Sequence, residues 1–78
     1  MSPKLPAVRA REVVRVALKL GFLFDHQKGS HAYYYRERDK ARVTIAMHAG
    51  KDLLPKTLAG IIADLRITPE EFQRLLKE

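Results

Sequence analysis

Three histidines, His26, His31 and His48, are the side chains of this 78-residue sequence best suited to move a proton near neutral pH. Their spacing limits what they can do. No two stand three or four residues apart, as two ligands on one helix face would, and there is no cysteine. Neither a helical nor a thiolate metal site is expected. Ser30 adjoins His31, but neighbouring strand residues point to opposite faces, which argues against a serine nucleophile. Two-metal chemistry needs clustered carboxylates, and the segment around the histidines offers only Asp25, Glu37 and Asp39. No metal and no cofactor is expected.

One chemistry asks less of the protein. RNA carries its own nucleophile, the ribose 2′-hydroxyl. Metal-free cleavage then needs a general base or acid, and cations for the charge that gathers on the phosphate. His31 meets this minimum, with Lys28 before it and Arg36 and Arg38 after it. Whichever of Tyr33, Tyr34 and Tyr35 are exposed offer rings for stacking on unpaired bases. A plainer reading fits the same residues: His31 as a surface strand residue after a Gly29-Ser30 turn, and Tyr33 to Tyr35 as strand packing. The residues alone leave His31 open between turn residue, packed strand residue, metal ligand and catalyst.

The charge pattern favours a polyanionic partner. The net charge is +6. Residues 1 to 42 hold ten Lys/Arg and four Asp/Glu, and residues 43 to 78 hold five of each, so the excess lies in the first part. A concentrated positive field points first to nucleic acid. Apolar residues make up 46% of the chain, which excludes a disordered polyelectrolyte. No apolar run reaches the roughly 20 residues of a membrane span. No signal-peptide pattern opens the sequence, and a cytoplasmic protein is expected.

The elements that must position His31 follow from periodicity. Residues 1 to 7 contain two prolines and read as a short extended arm. From about Arg9 to Leu20 the pattern is helical, with Ala10, Val13, Val14, Ala17 and Leu18 on one face and Gly21 as the stop. "FLFDHQK" then alternates, placing Phe22, Phe24 and His26 on one side of a strand with at least one buried face. Gly29-Ser30 suits a tight hairpin turn. "HAYYYRE" is a second strand, "RDK" a turn, and "RVTIAMH" a third strand. In the third strand Val43, Ile45 and Met47 face a core, while Arg42, Thr44, Ala46 and His48 face water. Pro55 suits the first position of the next helix, whose buried stripe is Leu58, Ile61, Ile62 and Leu65. Thr68, Pro69 and Glu71 form a capping box for a last helix that buries Phe72, Leu75 and Leu76. The fold class is α+β, in the order α-β-β-β-α-α, with the helices on one face of a three-stranded antiparallel meander. In the second strand both faces are partly apolar, so periodicity does not choose between Ala32/Tyr34/Arg36 and His31/Tyr33/Tyr35.

Several short motifs, in order along nearly the whole chain, resemble the HicA family of toxins. They are "KLP" near the start, "LKLGF" at 18 to 22, "QKGSH" at 27 to 31 with Tyr34 three further on, and "VTI" with a following His48. "GKDL" at 50 to 53, "TLAGII" at 57 to 62 and "TPEEF" at 68 to 72 complete the series. The sequence departs from the family pattern at His26, often arginine, at Ala46, commonly proline, and at Lys56, usually glycine.

The resemblance implies a double-stranded-RNA-binding-domain-like fold and a metal-independent mRNA interferase of a type II toxin-antitoxin system. It implies growth arrest and neutralisation by a HicB-type antitoxin, with operator DNA contacted only through that antitoxin. It places the catalytic histidine at His31 and turns Ala32 and Tyr34 toward the helices, with His31, Tyr33 and Tyr35 outward. The expectation is one domain over residues 1–78, catalysis by His31, and RNA contacts from Lys28, Gly29, Ser30, Tyr33, Tyr35, Arg36 and Arg38. A non-catalytic RNA- or DNA-binding module is the first alternative. A protein-interaction module with an acidic partner is the second.

Overall fold

The structure, a computed structural model, describes residues 5–78. The first four residues of the expected arm, with Lys4 of "KLP", lie outside them. The chain runs α1 (Ala10–Lys19), β1 (Leu23–Lys28), β2 (His31–Arg36), a 3₁₀ turn (Glu37–Asp39), β3 (Ala41–Ala46), α2 (Pro55–Asp64) and α3 (Pro69–Lys77). The strands form one antiparallel sheet in the order β1-β2-β3. This is the α+β arrangement expected from periodicity. Among the described residues, no helix is long and apolar enough to cross a membrane.

Local signals start and stop the elements where they were read. Gly21, just past α1, has a φ of +91°, which glycine adopts without a Cβ penalty. Pro55 and Pro69 open α2 and α3. The Glu71 backbone N–H donates to Thr68 Oγ1 at 3.1 Å, and Thr68 N–H donates back to Glu71 Oε1 at 3.4 Å. That reciprocal pair satisfies two N–H groups that the first turn leaves without helical partners.

The helices pack on one face of the sheet. α1 and α2 lie against β3, and α3 packs on α1 and α2. Phe22, Val43, Ile45, Leu58, Leu65 and Phe72 fill the space between, each 2% exposed or less. Burying each such side chain is worth roughly 1.5–3 kcal/mol. In α1 the buried set is Ala10, Val13, Val16 and Ala17. Val16 takes the place expected of Leu18, which is 52% exposed. Positions 10, 13 and 17 already define a stripe, and 16 lies closer to its centre than 18 does.

β1 departs most from expectation. All six of its residues are exposed, so it has no buried face. Its alternation is also broken by a bulge: Phe24 pairs with Tyr34, but His26 pairs with Tyr33. Asp25 is the extra residue. Phe24 therefore points to the helix side, edge-on to Tyr34 at 5.7 Å, and His26 points to the open side. They do not share a face, because a bulge reverses the parity of every residue beyond it.

At the other end of β2, Arg36 is buried, 6% exposed. Its guanidinium donates to both carboxylate oxygens of Asp39, at 2.9 and 2.7 Å, and to the Leu20 carbonyl at the end of α1, at 2.8 Å. It also covers the Phe22 ring at 4.5 Å. Asp39 further accepts from the Ala41 N–H and from Arg66, each at 3.4 Å.

These bonds, those from Arg36 foremost, hold the Asp39 carboxyl down at about 2, below the 3.8 of a free aspartate. The folded state thus binds this proton more weakly than the unfolded chain does. The resulting stability is complete above about pH 4 and disappears as pH falls through about 2. Asp39→Asn should lose stability at neutral pH and show a shallower decline across that acid window. Urea unfolding of both proteins at stepped pH tests this; parallel profiles through the window would refute it.

Candidate active site

The helices cover only one face of the sheet, and the other face is where the side chains able to do chemistry gather. The β1–β2 hairpin turns in two residues. Gly29 has a φ of +59° and Ser30 is not in the positive-φ region, the pattern of a type II′ turn. The Gln27 side-chain amide donates to the Gly29 carbonyl at 3.1 Å, and the Met47 N–H donates to the Ser30 carbonyl at 2.6 Å. The turn is therefore tied to both strands beside it.

His31 is the first residue of β2. It pairs with Lys28 on one side and Ala46 on the other. Its side is exposed, whereas Ala32 and Tyr34 are buried. Strand two thus has the orientation that the family resemblance implied. The small Ala46 leaves the imidazole uncrowded on the β3 side.

Two further rows lie along the same face. His26, Tyr33 and Thr44 form the next one, with the His26 ring stacked on Tyr33 at a centroid distance of 4.4 Å and 6° between planes. Leu23, Tyr35 and Arg42 form the third. The Arg42 guanidinium lies 5.1 Å from the Tyr35 ring centre, and the Tyr35 hydroxyl donates to Glu37 at 2.6 Å. Lys40 donates to the same carboxylate at 2.6 Å. Together, with Lys40 the larger cause, they lower the Glu37 pKa, and the Glu37 carboxylate, ahead of Tyr35, raises that of Lys40.

The cations expected to hold phosphate divide into two groups. Arg36 is corrected: it lies on the helix side, with its guanidinium engaged by Asp39 and Leu20, and it is not available to a ligand. Its partners are Asp39, three residues on, and the Leu20 carbonyl, and a basic run does not reveal that the guanidinium turns inward to meet them. Arg38 is exposed but sits beyond the far end of β2, about 17 Å or more from His31 at the usual rise per residue. Lys28 stays beside His31. Elsewhere, Arg15 and Lys19 donate to the Leu76, Leu75 and Glu78 carbonyls at the end of α3, and Arg9 faces Asp52. Much of the positive charge in the first 42 residues is thus engaged in holding the fold.

Arg42 was not among the expected RNA contacts, although the alternation of strand three already placed it on the open face. His48 lies past the end of β3, in an open groove with Arg9, Arg11 and Met47. Among the described residues, no three His, Asp or Glu side chains come together as a metal-binding group.

A comparison with protein families matches residues 10–67 to the model described as the HicA toxin of bacterial toxin-antitoxin systems. That span is well over half of the chain and runs from the start of α1 to the junction before α3. A search of curated proteins finds no match.

The tight hairpin makes one residue before His31 sensitive to a single methyl group. A Cβ on Gly29 would meet nothing within 4 Å, so the penalty for Gly29→Ala is the backbone conformation alone. It should destabilise by roughly 1–3 kcal/mol, the usual cost of holding an L-residue in a sparsely populated backbone region. Chemical denaturation measures this, and an unchanged midpoint would mean that the turn is not held as described.

Proposed function

The chain belongs to the HicA toxin family, and on that premise we propose that it is an endoribonuclease that cuts mRNA with His31. The observation that carries this reading is the position of His31. It is exposed, on the sheet face that the helices leave open, directly across from Lys28. An RNA strand laid on this face has a proton-transfer group and a cation at one phosphate.

The roles follow from residue chemistry. The ribose 2′-hydroxyl attacks the adjacent phosphorus, and the 5′-oxygen leaves. His31 moves a proton at one of these two oxygens, as general base or acid. Lys28 offsets negative charge on the non-bridging oxygens as it builds in the transition state. The Gly29-Ser30 turn holds Lys28 and His31 across from each other. Tyr33 and Tyr35 supply ring surface for bases along the same face, and Arg42 adds a second cation farther along. No step needs a metal, because the nucleophile belongs to the substrate.

Neutralisation fits the same geometry. A HicB-type antitoxin that covers the open sheet face would exclude RNA from His31. Lys28 and Arg42 favour an acidic surface on that partner, since complementary charge speeds encounter.

His31→Ala tests the catalytic reading against a module that only binds RNA. Cleavage of a defined mRNA should fall by about 10²–10⁴-fold, the usual contribution of one proton-transfer group, with RNA affinity nearly unchanged. Undiminished cleavage by this variant would exclude His31 as the catalyst. Lys28→Ala should weaken binding and reduce the slope of log affinity against log salt by about 0.7, as for one lost phosphate contact on a single strand. A slope equal to that of the unaltered protein would remove Lys28 from the phosphate-binding role.

A further inference from the structure

We propose that His26 is the second proton-transfer group of the RNA-cleaving site, held in position by Asp25. This rests on the reading of His31 as a ribonuclease histidine, and it goes beyond a site that works with one histidine.

The observation is the bulge in β1. In a regular strand Asp25 and His26 would point to opposite faces, and His26 would share a face with Phe24. The extra residue changes both relations. It moves His26 to the open face, opposite Tyr33, and it lets two consecutive side chains meet. His26 Nδ1 donates to Asp25 Oδ2 at 2.7 Å. The ring lies flat on Tyr33, 4.4 Å away and 6° from parallel. One contact acts in the ring plane and the other on its face, so the imidazole is fixed in both position and rotation.

A purely stabilising role explains this poorly. The two side chains are 57% and 55% exposed. A pair that exposed contributes little to stability, because solvent screens it. Against it stands the loss of ladder pairing at the bulge. Bulges of this kind commonly re-aim a side chain next to a working site.

The tautomer follows from the partner. A carboxylate only accepts, so Nδ1 carries the hydrogen, and in the neutral ring that leaves the lone pair on Nε2. This is how an aspartate prepares a histidine to act as a base. Lys28, His31, His26 and Tyr33 occupy the four corners of one cell of the sheet face. His26 and His31 are diagonal neighbours on this face, a relation that places backbones roughly 7–8 Å apart and Cβ atoms somewhat closer. A phosphate lying over Lys28 would have one imidazole toward its attacking oxygen and one toward its leaving oxygen. Other titratable or charged groups facing His26 are Asp25 and Lys28 from its own strand and Tyr33 from β2; the helices lie behind the sheet.

The step balances without a co-reactant. His26 Nε2 takes the 2′-hydroxyl proton as the 2′-oxygen bonds to phosphorus. The bond from phosphorus to the 5′-oxygen breaks, and His31, protonated, gives its proton to that oxygen. The products are a 2′,3′-cyclic phosphate and a 5′-hydroxyl. Proton exchange with water then restores both rings.

The test uses an oligonucleotide with a cleavage site mapped for the unaltered protein, and the same oligonucleotide with sulfur as the bridging 5′-atom. A thiolate leaves without an acid. His26→Phe keeps a ring on Tyr33 but cannot accept a proton. It should cleave both substrates about 100-fold more slowly, with RNA affinity held within about twofold. His31→Ala should fail on the oxygen substrate and recover on the sulfur one. In ¹⁵N NMR, Asp25→Ala should release His26 from the Nδ1–H tautomer. Near-normal cleavage by His26→Phe, with His31→Ala inactive, would overturn the role of His26 and leave that of His31 intact. If His31→Ala also cleaves normally, the underlying reading of the site has failed with it. An unchanged His26 tautomer in Asp25→Ala would overturn the positioning role.

Discussion

The bidentate pair between Arg36 and Asp39 is the constraint on which the rest of the molecule turns. It joins parts of the chain that share no secondary structure. Arg36 comes from β2, Asp39 from the turn before β3, the Leu20 carbonyl from the end of α1, and Arg66 from the junction between α2 and α3. A cation at a helix C-terminus is favourable in itself, and here it also satisfies a carbonyl left without a helical partner. Two parallel N–H···O bonds fix the guanidinium plane as well as its place. The pair also decides which face of β2 is which. Side chains alternate along a strand, and Arg36 lies an odd number of residues from His31. With Arg36 drawn inward, Tyr35, Tyr33 and His31 must point out. A slip by one residue would expose the guanidinium and bury the imidazole. The far end of the strand thus keeps the candidate catalyst in water.

A second consequence concerns charge. A basic sequence suggests a broad basic face, but the structure shows several of these cations engaged with the protein itself. Arg15 and Lys19 bind carbonyls at the end of α3, Arg36 is buried, Arg9 faces Asp52 and Lys40 is paired with Glu37. On the open sheet face, Lys28 and Arg42 remain without a carboxylate partner among the described residues. Under the proposed function, so few charges would direct an RNA strand along one line, past His31 and the two tyrosines, rather than coat the surface with RNA.

Much of the architecture was legible in the sequence because its signals are local. A glycine after α1, a proline at the start of two helices and the Thr68–Glu71 box each act within a few residues. The alternation of β3 was legible for a related reason: the strand is buried on one side along its whole length. What was not legible depended on pairing between elements, which a single run of residues does not show. Phe22, Phe24 and His26 alternate without interruption, and only the pairing with β2 shows that Asp25 is one residue too many. Arg36 sits in a basic run and looks like a phosphate ligand until Leu20 and Asp39 are seen around it. In α1, Val16 lies only slightly nearer than Leu18 to the centre of the stripe set by positions 10, 13 and 17, a margin that the apolar pattern alone does not display.

The bulge has a consequence for inheritance. At most positions of a strand, a substitution changes one side chain and leaves its neighbours facing as before. A gain or loss of one residue at Asp25 does something else: it exchanges the two faces of everything between the bulge and the next turn. A relative without the extra residue would present the side chain before its hairpin differently, even where the letters match. Column-by-column comparison through β1 is therefore sound only after the ladder to β2 has been matched. In this hairpin the unit of functional change is the insertion, not the substitution.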